Sequence, residues 1–196
     1  MELIAQAAAH STPHAASLVD VGCGAGNLSL KLREFLPHLN VTLIDLSQPM
    51  LTRAAERLAG NVRAIQGDIR QVPLEPESFD IAVGAAVFHH LRDEHEWRSV
   101  FGKVYRSLRP GGSFWISDLI CHSTAAVQQL MWLRYGEYLT GLKGEDYRRH
   151  VFEYVEYEDT PRPLLFQVDL LRECGFRDVE ILHKNSCFAA FGGLKV

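Results

Sequence analysis

Asp20-Val21-Gly22-Cys23-Gly24-Ala25-Gly26-Asn27 is the stretch whose reading decides the fold. It follows the apolar run Ser17-Leu18-Val19 and leads into an amphipathic stretch at 27–35, so a strand enters, glycines turn the chain and a helix leaves. Glycine tolerates positive φ and lets a ligand approach the backbone with no Cβ in the way. The first turn of the helix offers unpaired N–H groups and a partial positive charge. In open α/β sheets such turns sit at the carboxyl ends of the strands, where ligands bind. The spacing differs from the dinucleotide fingerprint G-x-G-x-x-G, because the third glycine comes one residue early. Asp20 ahead of the glycines would repel a pyrophosphate and attract an ammonium group.

Working outward, short apolar runs alternate with longer amphipathic stretches, the pattern of βαβ units. Strands are predicted at 17–21, 40–44, 62–66, 79–83 and 113–117, and helices at 27–35, 49–59 and 94–108. Ser47 is a predicted N-cap and Gly60 a stop. Arg109-Pro110-Gly111-Gly112 reads as a breaker before the fifth strand. Residues 123–140 read as a helix rich in large apolar side chains, and 145–159 as an acidic, aromatic segment closed by Pro161 and Pro163. A helix at 165–174 and strands at 176–182 and 187–191 complete the chain. The expectation is one domain over 1–196, α/β and doubly wound, mostly parallel with a C-terminal antiparallel hairpin, and with 119–164 as a helical substrate lid.

The 196 residues are 47% hydrophobic and carry a formal charge of −4, which disfavours a broad nucleic-acid surface. Cys23, Cys121, Cys174 and Cys187 lie far apart, so no C-x-x-C metal site is expected. No run approaches a membrane span and Met1–His10 lacks the features of a signal peptide, so a cytoplasmic location is expected.

Further acids fall at strand ends. Asp45, beside Leu46, closes the second strand, where a carboxylate can accept both hydroxyls of a ribose. Met50 could pack on an adenine face. Asp68, in Gly67-Asp68-Ile69 after the third strand, could accept from an exocyclic amino group, with Ile69 as an apolar wall. Singly, each aspartate is equally a cap or turn residue. Three carboxylates at successive strand ends suit an adenosine that carries a cationic amino acid.

These residues resemble the class I S-adenosylmethionine-dependent methyltransferases, from Leu18 to about Phe191. The glycine stretch 20–26 looks like the family's first motif, Asp45 stands at its ribose-binding acid, and Gly67-Asp68-Ile69 resembles its adenine segment. Residues 78–83 and Leu108–Gly112 resemble the fourth-strand motif and the turn before the fifth strand. The resemblance implies a three-layer Rossmann-like fold with S-adenosyl-L-methionine as cofactor and S-adenosyl-L-homocysteine as product. Gly22, Cys23, Gly24, Gly26 and Asn27 would approach the methionine part. Asp20 would help hold its amino group, directly or through water, and Ala85 and His90 would line the pocket after the fourth strand. The family often has helices ahead of the first motif, whereas about sixteen residues precede the first strand here.

A sulfonium methyl is already electrophilic, so the protein mainly aligns a nucleophile and excludes water. His89 and His90, after the fourth strand, and Asp118, ending the fifth, are candidate bases. Each histidine could equally pack against the cofactor or cap the next helix. His122 and His150 are further candidates. Tyr147, Val151 and Tyr154 share a helical spacing and could line a substrate cavity or form lid core. The chain lacks the Asn/Asp-Pro-Pro-aromatic segment and the Pro-Cys nucleophile of base-methylating enzymes. A small-molecule acceptor is therefore expected, with no metal and no membrane, as monomer or homodimer. The alternatives are a carboxy-S-adenosylmethionine synthase-like reaction, with Arg148 or Arg149 holding a carboxylate, a non-catalytic cofactor-binding module, and a nicotinamide dehydrogenase, the last disfavoured by the glycine spacing and Asp20.

Overall fold

The computed structural model describes all 196 residues. Its centre is a seven-stranded sheet of β1 (Ser17–Val21), β2 (Asn40–Asp45), β3 (Val62–Gln66), β4 (Phe79–Ala85), β5 (Leu108–Leu119), β6 (Arg177–Asn185) and β7 (Phe188–Leu194). The order is β3-β2-β1-β4-β5-β7-β6. The first five strands are parallel, and β7 runs antiparallel to both β5 and β6. The direction of winding reverses between β1 and β4, which opens a crevice at their carboxyl ends.

Strand pleating divides the core in two. Leu18 faces α1 (Glu2–Ser11), α2 (Asn27–Phe35) and α3 (Gln48–Leu58), while Val19 and Val21 face α4 (Glu94–Ser107) and α7 (Leu164–Cys174). Trp115 on β5 belongs to the first layer, and Phe114 and Ile116 to the second. In that second layer Phe88, Phe101 and Phe114 meet edge to face at 5.4–5.6 Å. Ser47 caps α3, its hydroxyl accepting from Met50 N at 3.4 Å, with Pro49 in the first turn.

The fold departs from the sequence expectations in three places. Residues 2–11 form a helix, α1, which buries Ile4, Ala5 and Ala8 against α2 and β5. The expected breaker at Arg109–Gly112 lies inside a continuous β5. Gly111, at φ +79°, donates to Lys195 O and Gly112 O accepts from Lys195 N, so the end of the hairpin zips onto this stretch. The hairpin strands themselves run longer than expected, to Asn185 and Leu194.

Residues 119–164 form α5 (Ala125–Lys143), α6 (Glu145–Glu158) and a returning tail. Gly136 lets α5 and α6 approach, since a Cβ there would lie 2.7 Å from Arg148 Nε. Trp132 and Phe152 stack across the pair at 4.6 Å. The tail returns beside the crevice, where Cys121 bridges to Pro163 and Thr160 bonds the backbone after β4. No helix is long and apolar enough to cross a membrane.

Candidate functional site

A cavity of about 550 Å³ opens at the carboxyl ends of β1, β2 and β4. The glycine turn forms its floor. Gly22 N and Cys23 N donate to Ile44 O at 2.8 and 3.1 Å, which ties the turn to β2. A Cβ on Gly24 would meet nothing within 4 Å, so this backbone faces open space. A Cβ on Gly22, at φ +63°, would lie 2.4 Å from Val87 Cγ2. Gly22→Ala is therefore expected to lose about 2 kcal/mol by overpacking and left-handed strain. Urea unfolding checks this, and the double variant Gly22→Ala/Val87→Ala is expected to recover part of the loss.

Asp45 stands on the wall with its carboxylate fixed. Oδ2 accepts from Gly24 N and Oδ1 from Ser47 N, each at 2.8 Å. Leu46 and Met50, partly exposed, supply apolar surface beside it, and Ile69 lies opposite. Asp68 also lines the hollow, with Arg70 clamping both its oxygens at 2.6–3.0 Å. The hydrogen bonds from Arg70 hold the Asp68 carboxyl below its ordinary pKa. Arg70 reaches on to Glu96 at 3.0 Å, and Lys103 ties down the loop through the carbonyls of Ile69, Arg70 and Val72.

Of the expected cofactor residues, Gly22, Gly24, Asp45, Leu46, Met50, Gly67, Asp68, Ile69, Ala85 and His90 line this one cavity. Four do not. Asp20 is 1% exposed and lies beneath the turn, its carboxylate accepting from Ser29 Oγ at 2.6 Å. Burial pushes its pKa up to about 7. Cys23 packs into the core around α2, where burial raises its thiol pKa. Gly26 is the N-cap of α2, and a Cβ there would press on Ala54 at 3.1 Å. Asn27 turns outward and accepts from Arg57 at 2.7 Å.

The candidate bases cluster at the ends of β4 and β5. His89 and His90 belong to a single 3-10 turn, Phe88–His90. Asp118 is fully buried and does not line the cavity. Its Oδ2 accepts from Phe88 N and its Oδ1 from Leu119 N, both at 2.7 Å, and Oδ1 also faces His89 Nδ1. Asp118 thus packs behind His89 and braces its ring and the turn that carries it. Burial opposes a charge on His89, but the Asp118 hydrogen bond and the charges of Asp118 and Asp159 outweigh it and raise its pKa.

Asp159, overlooked in the sequence, completes the cluster. Its side chain is 3% exposed, with Oδ2 3.6 Å from His89 Nε2 and Oδ1 3.0 Å from His90 Nδ1. Thr160 fixes it there, donating its N–H to His89 O at 2.7 Å and its hydroxyl to Leu91 O at 2.6 Å. Arg70, Val87 and Leu91 also line the cavity and were overlooked. Of the spaced set on α6, only Tyr154 reaches it; Tyr147 lies under Lys143 instead. His122 contacts Gln128 and His150 is exposed on α6; neither lines the cavity. Arg148 and Arg149 pair with Glu145 and Asp146 and do not line it either.

Residues 18–112 match the family model described as a methyltransferase domain. An uncharacterized methyltransferase of Geobacillus kaustophilus is 35% identical over 112 residues, 57% of this chain and 51% of that protein. The malonyl-[acyl-carrier protein] O-methyltransferase of Salmonella typhimurium is 37% identical over 97 residues, 50% of this chain and 36% of that one. Human N-acetylserotonin methyltransferase, solved in complex with S-adenosylmethionine, superposes with a TM-score of 0.64 at 20% identity, covering 98% of this chain and 50% of the human one. The chain spans about half the length of the curated relatives it matches. Over residues 18–112 the family match, the motif order and the fold agree, and they support the resemblance to the class I S-adenosylmethionine-dependent methyltransferases.

Proposed function

We propose that the chain binds S-adenosylmethionine in the 550 Å³ hollow and transfers its methyl group to a small-molecule acceptor. The observation that carries this reading is the single cavity shared by the bare backbone of Gly24, the fixed carboxylate of Asp45 and the Asp68-Ile69 corner. Its volume lies within the range of about 300–1,000 Å³ typical of small-ligand pockets. Asp45 keeps lone pairs for a ribose after its two backbone bonds, and Met50, Leu46 and Ile69 offer flat apolar surface for a base. Asp20, out of the cavity, acts on an ammonium only through the turn or a water.

When bound, the cofactor supplies an electrophilic methyl carbon. The chain's residues orient the acceptor and shield it from water. Tyr154 and Leu91 close one side of the cavity, and His90, at the same side, joins it to the His89–Asp159 cluster. Residues 119–164 act as the lid over this end. Residues 145–159 carry six acidic and two Arg side chains, which suits a neutral or cationic acceptor over a polyanion.

The test is incubation with methyl-labelled S-adenosylmethionine and size-fractionated cell extract. Protein-dependent label in the small-molecule fraction is the expected result. Tight cofactor binding with no label in any fraction would leave a binding module. Mass spectrometry of ligand retained through purification covers the other chemistry, because a carboxylated cofactor would replace this reading.

A further inference from the structure

We propose that His89, His90 and Asp159 form a site for one divalent transition-metal ion of the zinc class at the acceptor end of the cavity. The ligand atoms of the three all lie within 4.8 Å of one another. Two imidazoles and a carboxylate are a donor set that suits zinc and its neighbours. Donors around a tetrahedral ion with bonds of about 2.0 Å sit roughly 3.3 Å apart; His89 Nε2 lies 3.6 Å from Asp159 Oδ2 and His90 Nδ1 lies 3.0 Å from the other oxygen, Oδ1, so the carboxylate faces both rings at close to that spacing.

Two further features point to a bound cation. The first is the support behind His89. Its Nδ1 faces Asp118, whose oxygens are themselves held by Phe88 N and Leu119 N. A metal-binding histidine typically gives its other ring N–H to such a carboxylate, which fixes the tautomer and leaves the second nitrogen as a donor. Here that second nitrogen, Nε2, is directed at Asp159.

The second is an orphan. Asp159 Oδ1 is buried and has no hydrogen-bond partner. His90 Nδ1 is only 3.0 Å away, yet the two do not meet hydrogen-bond geometry. A buried carboxylate oxygen without a hydrogen bond is costly, and a cation held among these groups offsets that cost. The Thr160 bonds to His89 O and Leu91 O hold the distant Asp159 in place, so the site is preorganised.

Three protein ligands leave a zinc-class ion with an open position, as in catalytic sites. On the methyl-transfer reading above, that position takes the oxygen, nitrogen or sulfur of the acceptor and lowers its pKa. The rival arrangement has no metal, with protonated histidines paired directly to Asp159.

Zinc chloride alone is titrated calorimetrically into chelator-stripped protein, and bound zinc is counted by elemental analysis after gel filtration. One ion per chain is expected, with micromolar or tighter affinity. His90→Ala and Asp159→Asn are each expected to weaken it at least tenfold, and Asp118→Asn by about 10–100-fold. His150→Ala, on exposed α6, should change nothing. Circular dichroism verifies that each variant is folded, and the exposed His90 provides a substitution that the fold tolerates. Zinc that fails to bind stoichiometrically, or binds equally to His90→Ala and Asp159→Asn, overturns the site. S-adenosylmethionine binding to the stripped protein is measured separately, so failure of the metal site and failure of the methyl-transfer reading are told apart.

Discussion

Replacing Asp45 by Ala is expected to weaken S-adenosylmethionine binding by about 1–3 kcal/mol, roughly five- to 150-fold in Kd. The carboxylate is held on both oxygens by backbone N–H groups, from Gly24 and Ser47 at 2.8 Å. It is therefore aimed before any ligand arrives, and little conformational entropy is lost on binding. Alanine removes the ribose acceptor and also strips Gly24 N of its partner, which loosens the floor of the cavity. Asp45→Asn separates the two effects. Its amide oxygen can keep one backbone bond, while its NH2 group faces the other donor, so an intermediate loss is expected. Calorimetry with S-adenosylhomocysteine reads the affinity, and a thermal melt without ligand reads the loop. Unchanged affinity in Asp45→Ala would remove the ribose assignment and with it the main support for the cofactor's orientation.

Asp45 could be read from the sequence because its place is fixed locally. A parallel strand that ends in an acid places that acid at the carboxyl edge of the sheet, whatever the distant chain does. The same logic applies to Gly22, Gly24, Asp68 and Ile69, which line one hollow. Asp20, expected near the cofactor's amino group directly or through water, lies beneath the turn instead of on the cavity wall, as the pleat dictates. Leu18 and Asp20 share one face of β1, toward α2 and Ser29, while Val19 and Val21 share the other. Parity likewise puts Asp118 with Phe114 and Ile116 on the inward face of β5, beneath His89 instead of beside an acceptor. Helix α1 was missed because residues 2–11 are rich in small alanines, whose spacing carries a weak amphipathic signal. The meeting of Asp159 with His89 had no local signal at all. Seventy residues separate them, and the contact depends on the path of two helices and on the Thr160 hydrogen bonds.

Asp20→Asn is expected to stabilise the unliganded protein at pH 8 and to have little effect near pH 4. Burial raises the folded pKa of Asp20 to about 7 from an ordinary 3.8. Below about pH 4 the carboxyl is protonated in both folded and unfolded chains, and its folded environment carries no penalty. As the pH rises toward 7 the unfolded chain releases this proton and the folded chain resists, so stability falls through that window. Each tenfold difference in proton affinity is worth about 1.36 kcal/mol, which puts the loss by pH 8 on the order of 4 kcal/mol. Asparagine carries no proton to release and still accepts from Ser29 Oγ through its amide oxygen. Asp68 and Asp80 have lowered pKa values and slope the opposite way, but they do so equally in both proteins and cancel in the difference. Urea midpoints for the pair at pH 5 and pH 8 give the answer. A difference that does not grow with pH would mean that Asp20 is not titrating in the folded core. The cofactor adds a linked effect. An ammonium held over the turn favours the ionised carboxylate, so wild-type affinity should rise with pH toward 8. In Asp20→Asn that rise should be absent, leaving a more stable protein that binds its cofactor less well.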